Sequence, residues 1–110
     1  MSFLQRQKRV PLQLPLEVRG EDAAGVRFTE KTRSLNVSGG GICFESRRRL
    51  SIGARVRLEI ELPTRLRRHF GDQEVYRARA VVCRLERPRR AEAAQVGARF
   101  LREEPPGEMV

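Results

Sequence analysis

Over most of its length the chain alternates apolar and polar residues at every second position. That is the period at which side chains switch faces along a β-strand. The clearest case is "ARVRLEIEL" (54–62), with Ala54, Val56, Leu58, Ile60 and Leu62 on one face and Arg55, Arg57, Glu59 and Glu61 on the other. "LQLPLEV" (12–18) repeats the pattern through Leu12, Leu14, Leu16 and Val18. The longer run "VRFTEKTRSLNV" (26–37) is more polar and suits a strand with one wet face. "GICFES" (41–46), "EVYRARAVVCRLE" (74–86) and "AAQVGARFL" (93–101) complete a set of six. Six closely spaced strands, each with one apolar face, predict an all-β fold: a small six-stranded antiparallel β-barrel. Its core should contain Leu16, Val56, Leu58, Ile60, Val82, Val96 and Phe100, with Arg55, Arg57, Glu59 and Glu61 outside.

The connections agree with that reading. "RLSIG" (49–53) is a short turn, "RPRRAEA" (87–93) joins the last two strands, and "PTRLRRHFGDQ" (63–73) is a longer loop punctuated by Pro and Gly. Only 65–70 has room for a turn or two of helix. The ends differ in sign: "QRQKR" (5–9) is basic, and "REEPPGEMV" (102–110) is acidic with two prolines. The chain therefore divides into a flexible basic N-terminal arm (1–11), a barrel domain (12–101) and a flexible acidic tail (102–110). At 110 residues this is one domain, large enough to bury a modest core.

Charge changes the picture most. Lys plus Arg number 23 against 14 acids, a net of +9, and every base except Lys8 and Lys31 is Arg. Such an excess favours anionic partners, and the planar Arg fork can pair two acceptors at once or stack on a base. The plainer account of total charge is a scatter of solvated side chains. No apolar run approaches the roughly 18 residues that span a bilayer, and no leader pattern opens the chain, so a cytoplasmic location without a membrane span is expected. Cys43 and Cys83 fall in apolar strand segments and read as buried thiols, since two cysteines without a secretory leader rarely make a disulfide framework. One histidine, His69, and no paired ligand motif argue against zinc. No carboxylate pair is suggested, Ser38 lacks a nucleophile-elbow context, and His69 lies in a charged surface loop. No enzyme activity and no cofactor are expected.

One segment stands apart from the alternation: "LNVSGGGICF" (35–44), where three glycines separate two strand-like runs. Asn36 and Ser38 are two apart and would project to the same side of a strand. Asn offers an acceptor and a donor, and Ser either, the mixture that a guanine edge requires. Gly39, Gly40 and Gly41 would let the chain turn sharply and leave N–H groups reachable. The same residues also suit an ordinary hairpin turn with glycines at positive φ.

The combination resembles the PilZ domain, a bacterial β-barrel family that binds cyclic di-GMP. The family's Asp/Asn-x-Ser-x-x-Gly signature is matched by Asn36, Ser38 and Gly41, and the surroundings match over roughly residues 5–101: a basic segment leading into "RVPLQLPLEV", "GICF" after the motif, and a final "VGARF" with Gly97 and Phe100. The family's other signature, Arg-x-x-x-Arg before the first strand, is displaced: with Arg9 as its second member the first position is Gln5, and Arg6 stands one residue late. The resemblance implies cyclic di-GMP as ligand, with Arg6 and Arg9 gripping phosphates and a guanine edge, Asn36 and Ser38 reading the other guanine features, and Gly39 to Gly41 clearing space. It implies an arm that orders on binding and so changes the surface offered to a downstream protein partner. Two alternatives remain open. One is an adaptor of the same shape that binds no nucleotide. The other, less favoured, is a basic barrel that binds nucleic acid, for which the chain has few aromatic stacking residues.

Overall fold

The computed structural model describes residues 11–101. Its six strands are β1 (Pro15–Glu21), β2 (Arg27–Val37), β3 (Gly41–Ser46), β4 (Arg55–Glu61), β5 (Val75–Glu86) and β6 (Ala94–Phe100). They close into a barrel in the order β1-β2-β3-β6-β5-β4, and every neighbouring pair is antiparallel. Between β4 and β5 lie a single helical turn, α1 (Thr64–Arg67), and a 3-10 turn (Arg68–Phe70), where the sequence left room for them.

The period-two reading gives the right faces. Val56, Leu58 and Ile60 are buried, while Arg55, Arg57 and Glu61 are exposed and Glu59 is half-buried. Leu16, Val82 and Val96 are buried as expected, and Val96 stands across from Phe44, both without solvent exposure. Phe100 departs from the expectation. It is half-buried, because β6 ends there while β5 runs on, and its ring meets Tyr76 edge-on at 6.1 Å between centroids.

The first strand starts later than the alternation suggested. Pro15, which has no N–H to give a ladder, is its first paired residue, opposite Arg33. Just before it, the fully buried Ser34 takes the place of a ladder partner. Its hydroxyl donates to the Leu12 carbonyl and accepts from the Leu14 N–H at 2.9 Å, and its own N–H donates to the Leu14 carbonyl at 2.9 Å.

Two register shifts break the barrel wall. Between β2 and β3, Ser34 faces Phe44 but Asn36 faces Cys43, leaving Leu35 as an extra residue. Between β5 and β6, Val82 faces Ala98 but Arg84 faces Gly97, leaving Cys83 extra. A bulge of this kind bends its strand and re-aims nearby side chains. Cys83 is turned outward and exposed, which corrects its assignment as a buried thiol; Cys43 is buried, and both are free.

Candidate functional site

The two bulges bracket β3 and β6, and the registers put one residue from each of four strands in a row: Asn36, Cys43, Gly97 and Arg84. Over this row lies a cavity of about 400 Å³, lined also by Ser38, Gly40, Gly41, Ile42, Cys83, Ala98 and Arg99. The buried Cys43 and the side-chain-free Gly97 form its floor, with Asn36 and Arg84 as opposite walls.

The glycine turn is built from Ser38 inward. The Ser38 N–H donates to the Gly41 carbonyl at 2.9 Å, closing the hairpin. Its hydroxyl accepts from the N–H groups of Gly40 at 3.3 Å and Gly41 at 3.2 Å, and lies 3.4 Å from the Gly41 carbonyl. Strand β2 ends at Val37, so Ser38 leaves the ladder, is buried, and turns its hydroxyl to its own hairpin. The two N–H groups expected to be reachable are thus engaged. Neither does the positive-φ turn occur: the glycines at positive φ are Gly25, Gly53 and Gly71. Gly41 is required for a different reason. A Cβ there would stand 2.4 Å from the Ala98 backbone oxygen, so β3 and β6 could not approach.

Of the residues singled out from sequence, Asn36, Ser38, Gly40 and Gly41 share the cavity. Gly39 is exposed at the turn, outside the lining. Arg6 and Arg9 lie outside the described residues.

Arg84 and Arg99 were not singled out. The Arg84 side chain lies against Gly97, with Nε 3.4 Å from where a Cβ would be. Arg99 faces Gly41 across the β3–β6 ladder. Neither has a carboxylate within ion-pair distance among the described residues, and no carboxylate lines the cavity. Larger grooves of about 970 and 720 Å³ elsewhere on the barrel both carry acids, Glu21 and Asp22 in one and Glu30, Glu45 and Glu92 in the other. The four-strand cavity therefore suits an anion best: two guanidinium groups for negative charge, one amide for a donor–acceptor edge, and bare backbone beneath. Among the described residues no cluster of three or more His, Cys, Asp or Glu is placed to hold a metal.

The fold is a small antiparallel barrel with an arginine-walled cavity beside a glycine hairpin. The sequence profile of the PilZ domain matches residues 4–109, and the chain belongs to that family. Two solved structures share the fold. The Bacillus subtilis inhibitor of motility, MotI/DgrA, superposes with a TM-score of 0.61 at 24% identity, over 96% of this chain and 46% of that one. MrkH of K. pneumonia in its apo state gives a TM-score of 0.57 at 15% identity, over 88% of this chain and 43% of that one. The chain thus spans less than half the length of either. Among curated protein sequences none matches it.

Proposed function

We propose that this PilZ domain is a cyclic di-GMP receptor that passes nucleotide concentration to a protein partner through a change of surface. The observation that carries this reading is the cavity itself: Asn36, Ser38 and Gly41 of the family signature open onto the same space as Arg84 and Arg99, with no carboxylate among them. Cyclic di-GMP has two phosphates and two guanines, so a receptor needs cationic forks and a reader of a mixed edge. Arg84 and Arg99 supply charge from the barrel wall. Asn36 supplies the donor and acceptor for a guanine. Ser38 holds the hairpin that sets Asn36 and Gly41 in place. Arg9, with Arg6 displaced by one residue from the family spacing, contributes from the N-terminal segment.

A bidentate Arg–guanine contact discriminates by about 1–3 kcal/mol. Ordering the N-terminal segment on the ligand would cost entropy and in return create a new face for a partner. The output fits regulation of motility, exopolysaccharide or gene expression, in the cytoplasm and without catalysis. Among the described residues no helix is long and apolar enough to cross a membrane. The second reading, an adaptor that binds no nucleotide, is favoured by one observation: Gln5 occupies the first position of the displaced arginine motif.

Calorimetry of the whole chain with cyclic di-GMP, with GTP and with a short single-stranded DNA separates these readings. Saturable binding of cyclic di-GMP alone is expected. Heat from DNA that collapses with added salt would point to phosphate-backbone binding instead. No heat with any of the three would leave the adaptor.

A further inference from the structure

Because every neighbouring pair in the closed barrel is antiparallel, the β1–β2, β3–β4 and β5–β6 connections all leave from one end, and the glycine hairpin from the other. The three connections touch one another. The Ala23 N–H donates to the Arg49 carbonyl at 2.7 Å, and Arg47 Nη2 lies 3.6 Å from Glu92 Oε2. Over 22–26, 47–54 and 87–93 the chain places six arginines against two acids, and all six arginines are exposed. Neither acid offsets much of that charge. Asp22 Oδ1 accepts from the N–H groups of Ala24 and Val26 at 2.9 Å, inside its own turn. The Arg47–Glu92 pair is open to water on both sides, 75% and 82% exposed, where such a pair contributes little.

The same end carries apolar side chains. Among the described residues the exposed large hydrophobic ones are Val26 and Ile52, at 55% and 63%. A single exposed aliphatic side chain is ordinary. These two stand on touching turns, each next to a glycine at positive φ, Gly25 at 82° and Gly53 at 92°. Both turns are closed by their own backbone, Gly25 N–H to the Asp22 carbonyl at 2.9 Å and Ala54 N–H to the Ser51 carbonyl at 3.0 Å. Residues flanking both tips line one groove, Asp22, Ala23 and Arg27 from the first turn and Ser51, Ala54 and Arg55 from the second.

We propose that this end of the barrel docks on an anionic lipid bilayer, with Val26 and Ile52 entering the headgroup region and the arginines around them holding lipid phosphates. The arginines come from separate turns and share no fixed spacing, which a fluid plane of mobile phosphates accommodates. Each can lay its stem along apolar surface while its planar fork pairs with a phosphate. Nucleic acid would use the charge but has no place for two aliphatic tips. Phe28, in β2 beside these turns, is buried beneath Arg48 at 5.5 Å rather than exposed for base stacking. The glycine hairpin at the opposite end would face away from the lipid, so the inference does not rest on what the cavity binds.

Co-sedimentation of the whole chain, without nucleotide, tests this with vesicles of phosphatidylcholine alone or containing about one-third phosphatidylglycerol. Binding is expected to the second kind only, weakening as salt rises. Val26→Ser combined with Ile52→Ser should lower partitioning about tenfold or more, and Arg49→Gln combined with Arg89→Gln by a similar factor. Denaturant unfolding of both variants should match the parent, because all four positions are exposed. The chain has no tryptophan, so Ile52→Trp supplies a single reporter. Its emission should shift to the blue on the anionic vesicles, while that of Thr64→Trp, at the opposite end, should not. No sedimentation with the anionic vesicles would overturn the proposal. So would binding that the serine variant keeps in full, which is adsorption of charge without inserted tips, or a blue shift at position 64, which assigns the other end. Binding of a short duplex DNA in place of vesicles, lost in the arginine variant and kept in the serine variant, would give the face to nucleic acid.

Discussion

On the wall built by β1, β4 and β5 the register runs without a break, and two of its arginines have an acid beside them, Glu17 on the same strand as Arg19 and Glu59 across the ladder from Arg77. Arg19 is held at 2.7 Å by Glu17 and Arg77 at 3.3 Å by Glu59. The hydrogen bond that Arg19 donates to Glu17, then the charges of Glu17 and Glu59, raise the Arg19 pKa above its ordinary value. On the wall built by β2, β3, β6 and β5, two bulges shift the pairing by one residue. Arg84 there faces a glycine, and Arg99 another. The difference lies in register rather than composition, since arginines are abundant on both walls. On the regular wall Arg19 and Arg77 have an acid beside them, and on the broken one Arg33 has Glu45 at 3.7 Å, but in the row between the two bulges Arg84 and Arg99 have no carboxylate within ion-pair distance among the described residues. The regular wall should therefore matter for stability and the broken wall for binding.

The largest expected effect breaks the regular wall from inside. Ile60 is almost fully buried and sits between Leu16 and Tyr76 across the ladders. Ile60→Ala should lower unfolding free energy by about 2–5 kcal/mol, the usual cost of emptying a core position of this kind. Denaturant unfolding measures it. A loss below about 1 kcal/mol would mean that this wall does not hold the barrel together.

The next effect exchanges stability for affinity. Arg84 is exposed, so Arg84→Glu should move the unfolding of the free protein by no more than about 0.5 kcal/mol. With cyclic di-GMP at about 100 times its dissociation constant, binding should add roughly 2.7 kcal/mol to the parent. That is a melting shift of about 10 °C or more for a domain of this size. A hydrogen bond to a charged group contributes about 1.5–3 kcal/mol, so the variant should lose most of that shift. Arg57→Glu, on the regular wall, should keep it. Equal losses from both would show that net charge, rather than the cavity, governs binding.

How far these walls were legible in the sequence follows from what each depends on. Strand faces follow local alternation, and "RVRLEIE" carries it without interruption, so Val56, Leu58 and Ile60 could be placed from sequence alone. A bulge is a relation between two strands, and a single strand's pattern does not contain it. In "AVVCR" three apolar residues in succession hide the change of phase at Cys83, which is why that thiol was assigned inward. The row from Asn36 to Arg84 exists only once four strands are paired, so Arg84 and Arg99 could not be told from other arginines beforehand. The alternation of "VGARF" does place Arg99 outward, and that was the one available signal. Asn36 and Ser38 were expected to act as neighbours on one strand, yet β2 ends between them and Ser38 folds into the hairpin. Phase alone places Phe100 inward, but it cannot tell that β6 ends there while β5 runs on.

The smallest effect separates two uses of Ser38 within the broken wall. Its hydroxyl accepts from Gly40 and Gly41 at 3.3 and 3.2 Å, and both contacts are long for such bonds. If holding the hairpin is its role, Ser38→Ala should cost the free protein about 0.5–1.5 kcal/mol, the net worth of a typical intramolecular hydrogen bond. The affinity for cyclic di-GMP should then fall only as far as the loosened turn lets Asn36 and Gly41 drift. Ser38→Thr, which keeps a hydroxyl, should recover most of the stability. If the hydroxyl instead reads the ligand directly, the free protein should be indifferent to Ser38→Ala, and the whole loss should appear in binding. Unfolding without ligand and calorimetry with it, on the same two variants, decide between these. The hydrogen bonds favour the first outcome, because the hydroxyl already serves two donors of its own turn.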